Sequence, residues 1–316
     1  MSRAESLPVD VGVRRSPAPE PPGPLVEPGT RDVVAAYIAL TKPRIIELLL
    51  VTTVPAMVLA AGGWPPTLLV LYTLIGGTLA AGGANAINCY VDRDIDQVMG
   101  RTQKRPLPMH KVPPRNALLF GILLGVAAFT FLAVAVNLIS AILATFALLF
   151  YVFVYTLGMK RSTPQNIVIG GAAGAVPVLV GWSAVTGTVE LAALAMFGIV
   201  FYWTPPHFWA LAMKYSDDYA AAKVPMMPVV YGIRETTRHI LLYSFLLFAM
   251  CLALFSVARL GFVYLGAAIV LNGLFIAMAV NLYRKPDTKR AWGLFRFSIL
   301  YLALLFAAIA IDVLVS

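Results

Sequence analysis

Apolar runs of roughly twenty residues, each long enough to cross the hydrocarbon core of a bilayer, dominate this chain of 316 residues. They fall at about 44–62, 67–91, 116–136, 139–158, 165–186, 190–213, 237–257, 261–283 and 294–314. The pattern predicts an all-α polytopic membrane protein of about nine transmembrane helices. Two pairs of runs, meeting at Asn137 and at Arg259-Leu260-Gly261, are close enough that each could be one long helix. The chain is 60% hydrophobic and 12% charged, about half the charge of an ordinary soluble domain.

Charge placement tests the count. With nine crossings, every basic residue except Arg259 falls on one face. Merging either close pair would destroy that one-sidedness. Lys and Arg accumulate on the cytoplasmic side, so a multi-pass protein of a bacterial-type cytoplasmic (inner) membrane is expected, with its N-terminus in the cytoplasm. The net charge of +9 then follows from topology and contact with anionic lipid headgroups of the bilayer, and no nucleic-acid partner is implied.

Residues 1–33 differ in kind. Seven prolines and no apolar run precede residue 30, which predicts a disordered Pro-rich cytoplasmic tail ahead of a transmembrane domain over 34–316. Arg14-Arg15 is followed by no hydrophobic core, so neither an export signal nor a cleaved leader is expected. Cys89 and Cys251 both lie in apolar runs and imply neither a disulfide nor a zinc site.

Chemistry concentrates where the second run ends. Asn88, Asp92 and Asp96 recur every four residues, a spacing that lines one stripe of a helix. Two carboxylates and one amide supply only hard oxygen donors, the set that Mg²⁺ takes before completing its shell with waters and substrate phosphate oxygens. Asp94 projects away from the stripe and is expected to pair with a basic neighbour. The loop beyond carries Arg101, Lys104 and Arg105; cations so close to metal-binding acids suit a diphosphate. Lys111 and Arg115 are explained by topology alone.

A second polar cluster closes the sixth run. His207 follows Pro205-Pro206, and Lys214, Asp217 and Asp218 end the segment before Val224-Pro-Met-Met-Pro228. Both clusters fall on cytoplasmic loops after even-numbered runs, a weak internal echo of two helical halves facing one cavity. Two acidic clusters could hold a diphosphate between them through metal ions. Adjacent carboxylates diverge by about 100° on a helix, so at most one of Asp217 and Asp218 is expected to face the first stripe. Asp218 is the expected metal ligand, with Asp217 and Lys214 as substrate contacts.

Asn88-x-x-x-Asp92-x-x-x-Asp96 followed by Arg101-Thr-x-x-Arg105-Pro resembles the first aspartate-rich motif of the UbiA-type intramembrane prenyltransferases. Leu40-Thr-Lys-Pro-Arg44, Pro205-Pro-His-Phe-Trp209, Lys214-x-x-Asp217-Asp218-Tyr and Val224-Pro-Met-Met-Pro228 are similar to the haem-farnesylating members of that superfamily, from about Tyr37 to the end of the chain. The resemblance implies helices around a central cavity with a cytoplasmic-facing active site, Mg²⁺, a farnesyl diphosphate donor and haem B (protohaem IX) as acceptor. A vinyl group of haem B would gain the farnesyl group with addition of water, giving haem O and diphosphate, and a downstream haem-modifying enzyme could receive the product. One departure stands out: many superfamily members carry a second Asp-x-x-x-Asp, whereas here Ala221 and Ala222 stand four residues beyond Asp217 and Asp218.

Asn88, Asp92, Asp96 and Asp218 are therefore the expected catalytic metal ligands, and Arg101, Lys104, Arg105, Lys214, Asp217 and His207 the expected substrate contacts. His207 reads equally as an iron ligand and as a core imidazole bonded to a carbonyl freed by the two prolines. His110 and His239 are expected at loop positions. Glu47 is read as pairing with Arg44 or Lys42, and Tyr151, Tyr155, Trp182 and Trp203 as either cavity lining or packing. Another aromatic or tetrapyrrole acceptor, and a transporter with no chemistry, are the competing functions.

Overall fold

The computed structural model describes residues 29–316, apart from the side chains of Arg44, Ile45 and residues 47–50. All regular structure among the described residues is helical. Helix α1 (Thr30–Thr41) meets α2 (Pro43–Ala61) at Lys42, which adopts the left-handed conformation (φ 54°, ψ 62°). Then follow α3 (Thr67–Val91), the short α4 (Arg93–Val98), α5 (Pro114–Ala135) and α6 (Leu138–Leu149). Helix α6 continues without a break as a π-helix, Phe150–Met159. The remainder comprises α7 (Asn166–Thr186), α8 (Leu191–Lys214), the short α9 (Ser216–Ala221) and α10 (Met227–Val230), α11 (Gly232–Ala258), α12 (Phe262–Arg284) and α13 (Thr288–Val315).

Eight helices among the described residues are long and apolar enough to cross a membrane. Helix α2, with 19 residues and an apolar described part Val51–Ala61, packs on α7 and α13 as the ninth long element. Both close junctions are true breaks. Asn137 is extended and caps α6 by accepting a hydrogen bond from Ser140 N, and Arg259 ends α11 in the left-handed region. At the other end of the chain, Thr30–Val33 are already helical, which shortens the stretch expected to be a tail; residues 1–28 lie outside the described residues. The expected pairing of Glu47 with Arg44 or Lys42 likewise rests on side chains outside them.

Packing closes the helices on themselves. Helix α7 contacts α2, α6 and α8; α8 contacts α11 and α13; α13 returns to α2. The tightest crossing is between α3 and α5, where small residues let two backbones approach. A Cβ on Gly83 would stand 2.7 Å from the Gly121 carbonyl oxygen, and one on Gly121 would stand 2.6 Å from Ile87 Cγ1. This crossing lies one to two turns above Asn88 and sets where α3 delivers its end.

Polar ties at the end remote from Asp92 fix the helix ends. Asn137 Nδ2 donates to the Ser183 carbonyl at 2.7 Å, and the Ser140 and Ser183 hydroxyls lie 2.8 Å apart. Asp312 of α13 caps α12 from outside the helix: Oδ2 accepts from Gly261 N at 2.6 Å and Oδ1 from Tyr264 N at 3.0 Å. Those amides have no intrahelical partner, and a carboxylate also complements the positive end of the helix dipole. Asp312→Ala is expected to lower stability by about 2–3 kcal/mol, because it orphans two amide donors. Thermal unfolding in detergent should show this loss, and Asp312→Asn should recover part of it.

In the apolar interior, Tyr301 donates to Asn272 Oδ1 at 3.0 Å, Asn272 Nδ2 donates to the Ala268 carbonyl, and the Tyr264 hydroxyl donates to the Cys251 carbonyl. This network pins α11, α12 and α13 together and satisfies groups that lipid could not. Cys251 is buried within it, and Cys89 is buried against α1; both are free thiols.

Candidate active site at the end of α3

The acid stripe survives a break in its helix. Helix α3 ends at Val91 and α4 begins at Arg93, yet Asp92 N bonds the Asn88 carbonyl and Asp96 N bonds the Asp92 carbonyl, both at 2.9 Å. Because the i to i−4 pattern crosses the joint, Asn88, Asp92 and Asp96 stay in line, and all three are buried.

Each is engaged. Asn88 Oδ1 accepts from Lys42 Nζ at 2.6 Å, and Asn88 Nδ2 donates to Asp92 Oδ2 at 2.7 Å and to Thr156 Oγ1 at 3.1 Å. Lys160 is ion-paired to Asp92 Oδ2. Arg105 Nη1 bonds both oxygens of Asp96, at 2.9 and 2.8 Å. Asp92 Oδ1 is sealed from solvent and accepts no hydrogen bond among the described residues, with Arg161 Nη2 3.7 Å away. A buried carboxylate oxygen without a hydrogen bond is an unspent acceptor aimed at a cation.

Asp94 leaves the stripe as expected and takes a bidentate pair with Arg161, both bonds 2.7 Å. The Arg161 guanidinium holds the Asp94 carboxyl down to about 2. Burial, the largest influence on the half-buried Lys42 at the helix joint, lowers its ammonium to about 8, so it is still mostly protonated at neutral pH.

The π-helix builds the opposite wall. Thr156 Oγ1 donates back to the Tyr151 carbonyl and Lys160 N to the Tyr155 carbonyl, both five residues earlier and both at 2.8 Å. Nine residues of α-helix would turn Lys160 about 180° from Tyr151, whereas five-residue hydrogen bonding winds at about four and a half residues per turn and returns both to one side. Tyr151 lies within electrostatic reach of Asp92, Asp96 and Arg105. It stacks on Tyr155 at 5.3 Å and 29°. Asn166, at the start of α7, donates to the Lys160 carbonyl at 3.3 Å and steadies that corner.

The second cluster is carried by α9, where Asp218 is partly exposed. Its carboxylate faces Gly100, 3.7 Å from where a Cβ there would stand. Asp217 and Lys104 are exposed on the same end of the molecule. Lys214 lies 3.7 Å over the Trp292 ring, and Arg101 5.7 Å over Tyr215. Ile95, Met99, Ile167, Ala212 and Tyr219 form the apolar floor that joins the two clusters.

His207 is buried in α8 and bonded to a hydroxyl, not to a carbonyl freed by the prolines: Nδ1 is 2.7 Å from Ser298 Oγ. Trp203 stacks on it, and its indole donates to the Ser298 carbonyl at 2.9 Å. Trp182 is buried on α7 with its indole N–H unpartnered among the described residues.

The groups missed by sequence reasoning are Lys42, Thr156, Lys160 and Asn166. Lys42 was within a quoted motif and Lys160 within a basic pair, and positive-inside placement accounted for both without a site.

Long apolar helices in this order thus end in an oxygen-rich stripe ringed by Arg and Lys. The chain belongs to the UbiA prenyltransferase family, whose model matches residues 49–307. It is 56% identical over 285 residues to the protoheme IX farnesyltransferase of Frankia alni, covering 89% of this chain and 99% of that one. It is also 54% identical over 288 residues to the protoheme IX farnesyltransferase of Mycobacterium avium, covering 90% and 92%. Among solved structures, digeranylgeranylglyceryl phosphate synthase superposes with a TM-score of 0.75 at 17% identity, over 90% of this chain and 100% of that one. A UbiA homolog from Archaeoglobus fulgidus, solved with DMAPP and Mg²⁺, gives 0.61 at 18% identity, over 87% and 99%. These two structures share the fold.

Proposed function

We propose that this chain transfers the farnesyl group of farnesyl diphosphate to a vinyl group of haem B, with addition of water, giving haem O and diphosphate. The observation that carries the reading is the buried Asn88–Asp92–Asp96 stripe with its unspent Asp92 Oδ1, ringed by Lys42, Arg105, Lys160 and Arg161. The names of relatives more than half identical support the same donor and acceptor.

The donor set is all oxygen and fits Mg²⁺, with Asn88, Asp92 and Asp96 as the holding residues and Asp218 as a further carboxylate from the facing loop. When bound, Mg²⁺ neutralises diphosphate oxygens as a Lewis acid. Arg105, Lys160 and Lys42 supply the fixed positive charge that stabilises the diphosphate as the C1–O bond breaks and negative charge grows on the leaving oxygen. Arg101, Lys104 and Lys214 rim the same end and attract the anion, with Asp217 beside them as a further substrate contact. Tyr151 and Tyr155, stacked on each other next to the stripe, supply π-electron density that favours a developing allylic cation.

The vinyl terminal carbon bonds farnesyl C1, positive charge spreads into the porphyrin, and water adds its oxygen to the adjacent carbon while its proton leaves with diphosphate. His207, deeper in α8, is the acceptor-side contact to haem iron. The apolar walls keep water from the allylic cation before the acceptor reaches it. The site faces the cytoplasm of a bacterial-type inner membrane, since the basic loops share its end, and the tetrapyrrole product passes to a downstream haem-modifying enzyme.

Incubation of the purified protein with haem B, farnesyl diphosphate and Mg²⁺, followed by mass spectrometry of extracted haem, tests this. Haem is expected to gain one farnesyl group and one hydroxyl group, with release of one diphosphate that carries off the remaining proton of the water. Diphosphate release with unaltered haem would point to another acceptor, and no release at all would leave a transporter.

A further inference from the structure

We propose that Ser298 is a positioning residue that fixes the tautomer and aim of His207, so that Nε2 is the nitrogen offered to haem iron. The proposal rests on reading His207 as the acceptor-side ligand and goes beyond it by assigning the group that prepares the ligand.

The hydrogen-bond geometry decides the tautomer. Ser298 Oγ lies 2.7 Å from the Phe295 carbonyl oxygen and 2.7 Å from His207 Nδ1. A carbonyl can only accept, so the single hydroxyl proton of Ser298 goes to Phe295. The serine oxygen then has only lone pairs for His207, and Nδ1 must carry the hydrogen it donates. A neutral imidazole has one N–H, so Nε2 is left with a bare lone pair.

That nitrogen is not used by the fold. His207 Nε2 makes no hydrogen bond among the described residues, although the residue is buried. A histidine retained only to fill an apolar core has no need to keep one ring nitrogen unbonded.

The ring plane is fixed as firmly as the proton. Trp203 stacks at 4.4 Å and 21°, Phe295 lies at 4.6 Å and 31°, and Phe208 meets the ring edge-on at 5.1 Å. Both faces are thus covered and the Nδ1 edge is held, so the ring cannot turn to exchange its two nitrogens. Ser298 acts twice, since its carbonyl holds the Trp203 indole at 2.9 Å while its hydroxyl holds His207. One residue of α13 thereby sets both the stacking partner and the protonation of a side chain on α8. An imidazole whose Nδ1–H is bound to an oxygen and whose Nε2 is free is the arrangement that metal-ligating histidines adopt, and the oxygen partner strengthens the ligand.

The iron–histidine stretch in resonance Raman spectra of the ferrous haem B complex of the purified protein tests this, alongside haem affinity. Wild type is expected to show the stretch and His207→Ala to lose it. Ser298→Ala is expected to keep histidine ligation, shift the stretch to lower frequency and weaken haem binding about tenfold. Ser298→Thr, which retains the hydroxyl, should restore both. Farnesyl diphosphate binding by every variant reports on folding. Should Ser298→Ala not fold, Ser298→Cys replaces it, with a weakly accepting thiol in nearly the same volume. A stretch that persists in His207→Ala would overturn the ligand reading and the proposal together. Loss in His207→Ala with unchanged frequency and affinity in Ser298→Ala would keep the ligand reading and overturn the role of Ser298.

Discussion

Asp92→Asn is expected to lower farnesyl transfer at least about a hundredfold while the protein still inserts and folds. The substitution keeps shape and the Asn88 contact but removes the charge at the centre of the stripe, and charge stabilisation of a leaving group is commonly worth this much. Asparagine is the better probe than alanine here. Asp92 is sealed from solvent and paired with the half-buried Lys160; alanine would strip Lys160 and Asn88 of their acceptor as well as of the charge, whereas asparagine keeps an oxygen to accept from them. Asp96→Asn should behave alike, since Arg105 holds Asp96 through both oxygens. Turnover and thermal unfolding of the same preparations separate chemistry from stability. Transfer above a few per cent of wild type with the fold intact would remove these acids from the reaction.

Lys160→Met is expected to have the second largest effect, with transfer lowered about a hundredfold or more and farnesyl diphosphate bound more weakly. Met preserves the length and apolar stem of the side chain while deleting the ammonium that meets Asp92. A charge that stabilises both bound donor and departing diphosphate affects KM and kcat together, and one that only balances Asp92 affects unfolding alone. Steady-state kinetics against donor concentration distinguish the two. Unchanged kinetics with a lowered melting temperature would assign Lys160 to structure.

The acid stripe is legible in sequence because its logic is local. Asn88, Asp92 and Asp96 obey one helical period, and the period holds through the break at Asp92 because the backbone hydrogen bonds do. The apolar runs are legible for a related reason: length and hydropathy alone decide them. The cations are different, since Lys42 meets Asn88 across 46 residues and Lys160 meets Asp92 across 68. No periodicity records such a contact, and both lysines already satisfied the topology rule, so nothing marked them as surplus.

Asp217 and Asp218 do diverge as adjacent helical residues must, one exposed and the other turned to Gly100. Whether that loop closes onto the first stripe is a matter of tertiary approach that spacing cannot express. Ser298 was invisible for a similar reason: an unremarkable serine in an apolar run gains meaning only from His207, 91 residues earlier.

The winding of Phe150–Met159 changes how spacing itself should be read along this helix. An aromatic and a lysine seven residues apart share a face of an α-helix, since two turns of about 3.6 residues bring them round. Here nine positions separate Tyr151 from Lys160, and the five-residue hydrogen bonds bring them round instead. Two different intervals thus encode one arrangement of groups in space. An alignment that opens a two-residue gap in this helix has not necessarily lost the site: the shorter chain can reach the same place by coiling more tightly, and homology there is better judged by winding than by count.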